Sequence, residues 1–467
     1  MLFNSLHFLA YFPIVCLIYF LLPSIKTRNL FLLVASYYFY MNWEPVYALL
    51  LLSSTAITYL ASLGIGYFTE QRHKRLCLTG SIVSNLGILF FFKYYAFTAG
   101  NLTALLEYFN LAVSMPNFSF LLPVGISFYI FQALGYSIDV YRGNTAIERN
   151  FFTYALFVSF FPQLVAGPIE RSGNLLPQFR KMHSFSYENA MKGLRLMLWG
   201  YFLKLVLADR CGIYVDAIFN GVQYHNGGSY LLASFIFPFQ IYGDFAGYSL
   251  TAIGVAKVLG FDLMENFRRP YFSTTVTEFW RRWHISLSTW FRDYLYIPLG
   301  GNRVGKIQCY VNIMITFIVS GLWHGANWTF IIWGTLHGTL QCIEKVLGWN
   351  RVAWKGWNKF IHWSLTFAIV CLAWIFFRAN NIGDAFTVIR GIFLDLSIPF
   401  IPVADMIGII SALGIVFVKE LLDEYCPDFS ISDSRFWIVR HLYIVAIITY
   451  IILFGVLNGD QFIYFQF

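Results

Sequence analysis

The residue best placed to do chemistry is His324, in the run FIVSGLWHGANWTFIIWGTLHG, which is apolar on both sides and carries Gly321 and Gly325 beside the imidazole. An ionisable side chain within an apolar run is costly to hold in a bilayer, and such positions are usually functional. A neutral imidazole is equipped to act as a general base near pH 7; the competing reading is a histidine that hydrogen-bonds a neighbouring helix. The flanking glycines allow a substrate or helix to approach closely. His284, in RWHISLS, is the second candidate, read either as a chemical partner or as a histidine at headgroup level. Forty positions separate the two, so any pairing is tertiary. His337 reads as a helix-packing residue, and the remaining histidines fall at span ends or in loops.

Asp244 sits inside FPFQIYGDFAGYSLTAIG. A buried carboxylate needs partners or a proton, so Asp244 is expected to orient a histidine, bind a cation or anchor a packing network. Residues 160–179, FFPQLVAGPIERSGNLLPQF, contain three prolines and two glycines and read as a broken helix followed by a polar turn, where Gln163 and Glu170 are candidates to line a cavity. There is no G-x-S-x-G elbow, Walker loop, dinucleotide fingerprint or H-E-x-x-H motif. His324 and His337 are thirteen apart, the wrong spacing for an i, i+4 metal pair, so no metal is expected.

These residues must be positioned in a chain that is 58% hydrophobic and only 12% charged, against about 25% charged for a soluble domain. A bilayer is the solvent that suits it. Long apolar runs cover residues 6–22, 46–68, 77–97, 118–140, 230–259, 307–347, 360–377, 403–422 and 436–456, with shorter ones at 29–41 and 151–167. Residues 307–347 suffice for two short spans or a re-entrant hairpin. The pattern predicts an all-α polytopic membrane protein of about 10–12 spans. Continuous apolar runs speak against a β-barrel, whose strands alternate. The chain reads as one membrane-embedded domain, 1–467, with a functional core near 160–340, where polar and Gly/Pro-interrupted motifs crowd together. Broken helices are tolerated at membrane depth only inside protein or along a cavity.

The first apolar run has no basic stretch before it and no A-x-A-like site after it, so it is expected to be retained, with the N-terminus extracytoplasmic. Basic clusters at 72–75, 142–149, 268–306 and 345–359 are assigned to the cytoplasmic side. The net charge of +8 then reflects orientation and affinity for anionic lipids rather than nucleic acid. Residues 275–299, TVTEFWRRWHISLSTWFRDYLYIPL, are too charged to span and too aromatic for an ordinary loop; they read as an interfacial or dipping helix capped near Ser273 or Thr274. Seven scattered cysteines without a CxxC pair read as small buried hydrophobes.

The segments WRRWHISLSTWFRDYLYIPLGGNRVG and VSGLWHGANWTFIIWGTLHG, in that order, resemble the membrane-bound O-acyltransferase family. The branch most similar contains the membrane subunit of bacterial alginate O-acetylation. The resemblance extends to FFPQLVAGPIERSGNLLPQF, FQIYGDFAGYS, the opening MLFNSLHFLAYFPIVCLIYFLLP and the closing FIYFQF; Ala246 stands where the branch would have Ser. It implies a ring of tilted helices around a central tunnel, with His324 at the principal catalytic position and His284 at the second. Asp244, Trp323, Asn327, Trp328, Gln163, Arg292 and Asp293 are the expected tunnel or substrate-binding residues. It further implies acetyl-CoA as a cytoplasmic acyl donor with no bound cofactor, membrane lipids as surroundings, and an extracytoplasmic acetyltransferase partner. The function expected is O-acetylation of an extracytoplasmic polysaccharide, alginate-like or peptidoglycan, from the cell inner membrane. The competing expectations are an ion-coupled transporter, or acylation of a lipid or protein.

Overall fold

A computed structural model describes residues 1–111, 115, 116, 118, 121–395, 397–429, 431, 432 and 434–456. The closing FIYFQF lies outside them. All regular structure among the described residues is helical, and the helices follow the apolar runs: Leu6–Leu21, Ile25–Met41, Tyr47–Tyr67, Ile126–Arg142, Gly227–Leu259, Gly356–Arg378, Val403–Tyr425 and Trp437–Phe454. Residues 307–347 fold as two helices, Lys306–His324 and Trp328–Leu347, joined through Gly325, Ala326 and Asn327. Among the described residues, five helices are long and apolar enough to cross a membrane: Tyr47–Tyr67, Gln71–Tyr108, Lys306–His324, Gly356–Arg378 and Trp437–Phe454. The chain is a multi-pass membrane protein.

The helices group into two compact units, Met1–Gly193 with Val255–Met264, and Leu194–Gly254 with Glu265–Phe467. In the first, the buried face of Tyr47–Tyr67 carries Ser54, Thr58 and Ser62 at helical spacing. Small hydroxyl residues let helices approach closely and bond across the contact: Ser54 donates to Asn85 Oδ1, and the Tyr154 hydroxyl donates to Thr58 Oγ1 at 2.7 Å. Thr58 and Ser62 return their own protons to the carbonyls one turn back, both at 2.8 Å.

In the second unit the hairpin that carries His324 is set by glycine. A Cβ on Gly321 would lie 2.2 Å from the Phe330 carbonyl oxygen, and one on Gly334 would lie 2.3 Å from that of Phe317. Both obstacles are backbone, so neither can rotate away. Gly321→Val is therefore expected to destabilise the protein by about 1–3 kcal/mol, read as a lower melting temperature in detergent. An unchanged melting temperature would mean the helices do not cross here.

Candidate active site

His284 is placed by an unusual backbone turn. Thr275 caps the helix Val276–Arg282 by accepting the Glu278 N–H at 3.0 Å. The cap falls after Ser273 and Thr274 because the Glu278 carboxylate takes the Thr274 N–H and hydroxyl, at 2.8 and 2.9 Å. Glu344 secures the same end, accepting the N–H groups of Val276 and Thr277 and the Thr277 hydroxyl. The chain then breaks at His284, with φ 42° and ψ 55°, before the helix Ile285–Phe291. A side-chain-bearing residue in this left-handed region costs about 1–2 kcal/mol, and it persists where surrounding contacts over-determine it. Asn266 supplies those contacts: its carbonyl accepts the Ile285 N–H at 2.9 Å, and its Oδ1 accepts the Ser286 N–H at 3.3 Å and the Ser286 hydroxyl at 2.9 Å. The same Oδ1 lies 3.0 Å from His284 Nδ1. His284 is fully buried, outside the spanning helices, and burial pushes its imidazole well below the ordinary value, so the ring is neutral.

His324 ends the helix Lys306–His324 and is also buried. Its ring centroid lies 5.0 Å from Trp323, 5.0 Å from Trp333, 5.3 Å from Phe377 and 6.5 Å from His284. Trp323 also flanks His284, at 5.9 Å. Two histidines forty positions apart thus share one aromatic enclosure. His337 is buried in the adjoining packing, where its Nδ1 accepts from Trp280 Nε1 at 3.2 Å. Phe279, Trp280, Trp283, Trp290 and Phe291 are buried within the protein. Their rings find partners there: Phe279 and Trp283 stack at 5.5 Å, and Trp283 meets Trp374 at 5.1 Å.

A cavity of about 400 Å³ lies in the same unit, lined by Thr277, Arg281, Ser288, Arg292, Ser320 and Lys345, among others. Ser320 is one turn before His324 on the same helix. Arg292 and Asp293 form a pair at 2.8 Å on the widened turn Arg292–Tyr296. Of the expected basic set, Arg269 and Arg282 are tied to Glu424, at 2.6 and 3.0 Å, and Arg268 to Glu265 at 2.7 Å.

Asp244 meets a cation. Lys204 Nζ lies 2.6 Å from Asp244 Oδ1 and 2.7 Å from Asp209 Oδ1, all three side chains being nearly buried. Lys204 stands on the widened turn Phe202–Ala208, a geometry frequent at functional positions. The next residue after Asp244, Phe245, sets its ring edge-on to His284 at 4.5 Å. Asn327 caps the helix Trp328–Leu347 through the Thr329 N–H at 3.1 Å and donates to the Asn380 carbonyl at 3.0 Å. Trp328, beside it, is half exposed. Gln163 belongs to the first unit, where its Nε2 donates to the Phe157 carbonyl at 3.2 Å. Glu170, in that unit too, accepts from the Met264 N–H and from Asn174 Nδ2, and burial pushes its carboxyl up to about 7. Asn266 and Lys204 are the residues that sequence reasoning passed over. Among the described residues, no group of three His, Cys, Asp or Glu is placed to hold a metal.

Buried paired imidazoles on an all-helical membrane scaffold suit acyl transfer to a hydroxyl, and the sequence profile described as the membrane-bound O-acyltransferase family matches residues 145–383. The chain belongs to that family and is a membrane O-acyltransferase. It is 41% identical over 387 residues to a protein named probable alginate O-acetylase AlgI of Pseudomonas syringae pv. tomato, covering 82% of this chain and 74% of that one. It is 36% identical over 425 residues to the peptidoglycan O-acetyltransferase of Helicobacter pylori, covering 84% and 79%. A teichoic acid D-alanyltransferase of Streptococcus thermophilus is 29% identical over 284 residues, covering 54% and 68%. Membership in an acyltransferase family argues against the ion-coupled transporter.

Proposed function

We propose that this single membrane-embedded domain takes an acetyl group from cytoplasmic acetyl-CoA and delivers it, at His324 and His284, for O-acetylation of an extracytoplasmic polysaccharide. The observation that carries the reading is the cavity whose wall holds Arg281, Arg292 and Lys345 and reaches Ser320, one turn from His324. Its cations suit the phosphates of CoA, and its Ser320 side suits a thioester directed toward the imidazoles. His324 takes the proton of an acceptor hydroxyl as that oxygen bonds to the thioester carbon. Collapse of the tetrahedral intermediate breaks the carbon–sulfur bond, and the imidazolium returns its proton to the departing CoA sulfur. The aromatic enclosure excludes water that would compete as nucleophile.

The names of the alginate and peptidoglycan relatives favour a polysaccharide acceptor and an acetyl group. A charged donor does not cross a bilayer, so the reading places the donor side on the cytoplasmic face of the inner membrane, with the N-terminus extracytoplasmic. An extracytoplasmic acetyltransferase partner then completes transfer to the glycan. The double variant Arg281→Gln, Arg292→Gln is expected to raise KM for acetyl-CoA at least about tenfold with little change in kcat, since each lost charged contact is worth about 1.5–3 kcal/mol. Steady-state kinetics in membranes test it; an unchanged KM would remove the cavity from donor binding.

A further inference from the structure

The hydrogen bonds around Asn266 fix more than a backbone turn. A backbone N–H can only donate. The Asn266 side-chain atom 3.3 Å from the Ser286 nitrogen is therefore the oxygen, and the Ser286 hydroxyl, 2.9 Å away, donates to it as well. The amide's other atom, Nδ2, donates to Ser249 Oγ at 3.0 Å, which agrees with that orientation. His284 Nδ1 lies 3.0 Å from the same oxygen. An oxygen acceptor demands a proton on the nitrogen facing it, and a neutral imidazole carries one proton only. The tautomer thus follows from the geometry of a backbone amide, without any assumption about the ring.

We infer that Asn266 is the positioning residue of this site: it holds His284 in its left-handed conformation as the Nδ1–H tautomer, so that Nε2 is the ring's acceptor nitrogen. His337 has the opposite arrangement, because Trp280 Nε1 donates to its Nδ1. The two buried histidines of this region are therefore set in opposite tautomers by their neighbours. Asn266 is 1% exposed, and its three side-chain contacts to His284 and Ser286, with Nδ2 bonded to Ser249, fix which way its amide faces.

The part His284 plays in turnover rests on the acyltransfer reading above; its tautomer does not, and the two are measured separately. Histidine labelled with ¹⁵N in the full chain, in lipid bilayers, gives the ring-nitrogen resonances, and His284→Gln identifies those of His284. The expected result is a protonated Nδ1 and a bare Nε2 in the wild type. Asn266→Ala is expected to mix the tautomers and lower kcat about 10–100-fold, the range known for outer hydrogen-bond partners of metal-ligating histidines, with KM for acetyl-CoA little changed. Asn266→Asp keeps an oxygen facing Nδ1 and is expected to retain the wild-type tautomer and recover part of kcat; it also serves if Asn266→Ala fails to fold. A wild-type His284 protonated at Nε2 would overturn the inference, as would Asn266→Ala with the wild-type tautomer and full kcat. Wild-type protein with the expected tautomer that transfers no acetyl group, its partners present, would leave Asn266's positioning in place and count against the acyltransfer reading instead.

Discussion

His324→Ala is expected to lower acetyl transfer by about 10²–10⁴-fold, the usual worth of a positioned general base. Alanine removes the only imidazole on the helix Lys306–His324, at its terminal residue, where Trp323, Trp333 and Phe377 surround the ring. His284, 6.5 Å away between centroids, is held by Asn266 in a left-handed turn and cannot move over to replace it. On the proposed mechanism the loss falls on kcat, because there the proton is taken in the transition state and not when acetyl-CoA binds. Single-turnover kinetics with verified membrane insertion separate this from misfolding. A variant within about threefold of wild type would take proton transfer away from His324.

Lys204→Met is expected to destabilise the fold by about 3–5 kcal/mol, the penalty for removing one partner of a buried ion group. The ammonium lies between Asp209 and Asp244, at 2.7 and 2.6 Å, and methionine leaves two nearly buried carboxylates facing each other without it. Because Phe245 follows Asp244 and its ring meets His284 at 4.5 Å, the same variant should also disturb the packing around His284. Adding Asp209→Asn and Asp244→Asn to Lys204→Met should recover much of the stability, since a buried ion group replaced as a whole costs little. Thermal unfolding in detergent measures both; a single variant as stable as wild type would show that the three groups do not depend on one another.

Much of this site was legible because ionisable residues are rare in apolar runs. That rarity singles out His324 and Asp244 from sequence, and the length of residues 307–347 allows for the hairpin formed by Lys306–His324 and Trp328–Leu347. The meeting of His284 with His324 was not legible, since spacing in sequence carries no tertiary distance. Asn327 is expected among the tunnel or substrate-binding residues, yet an Asn directly before an apolar helix is a strong capping signal, and capping is what its Oδ1 does. The aromatics of 275–299 read as interfacial residues, and composition alone does not tell which of them are also buried within the protein. Asn266 gave no signal at all: one amide between Glu265 and Phe267 looks like loop, and its importance comes wholly from contacts with residues 284–286 and Ser249. The charge pattern marked a basic segment but not its division, in which Glu424 binds Arg269 and Arg282 while Arg281 and Arg292 face the cavity.

The most direct test of the central claim is transfer of radiolabel from acetyl-CoA, supplied only at the cytoplasmic face of membranes that hold the protein with its native partners. The account predicts ester-linked label on extracytoplasmic polysaccharide with wild-type protein and its near-complete loss with His324→Ala. No label in wild-type membranes shown to contain the partners, or label equal in the two, would contradict it.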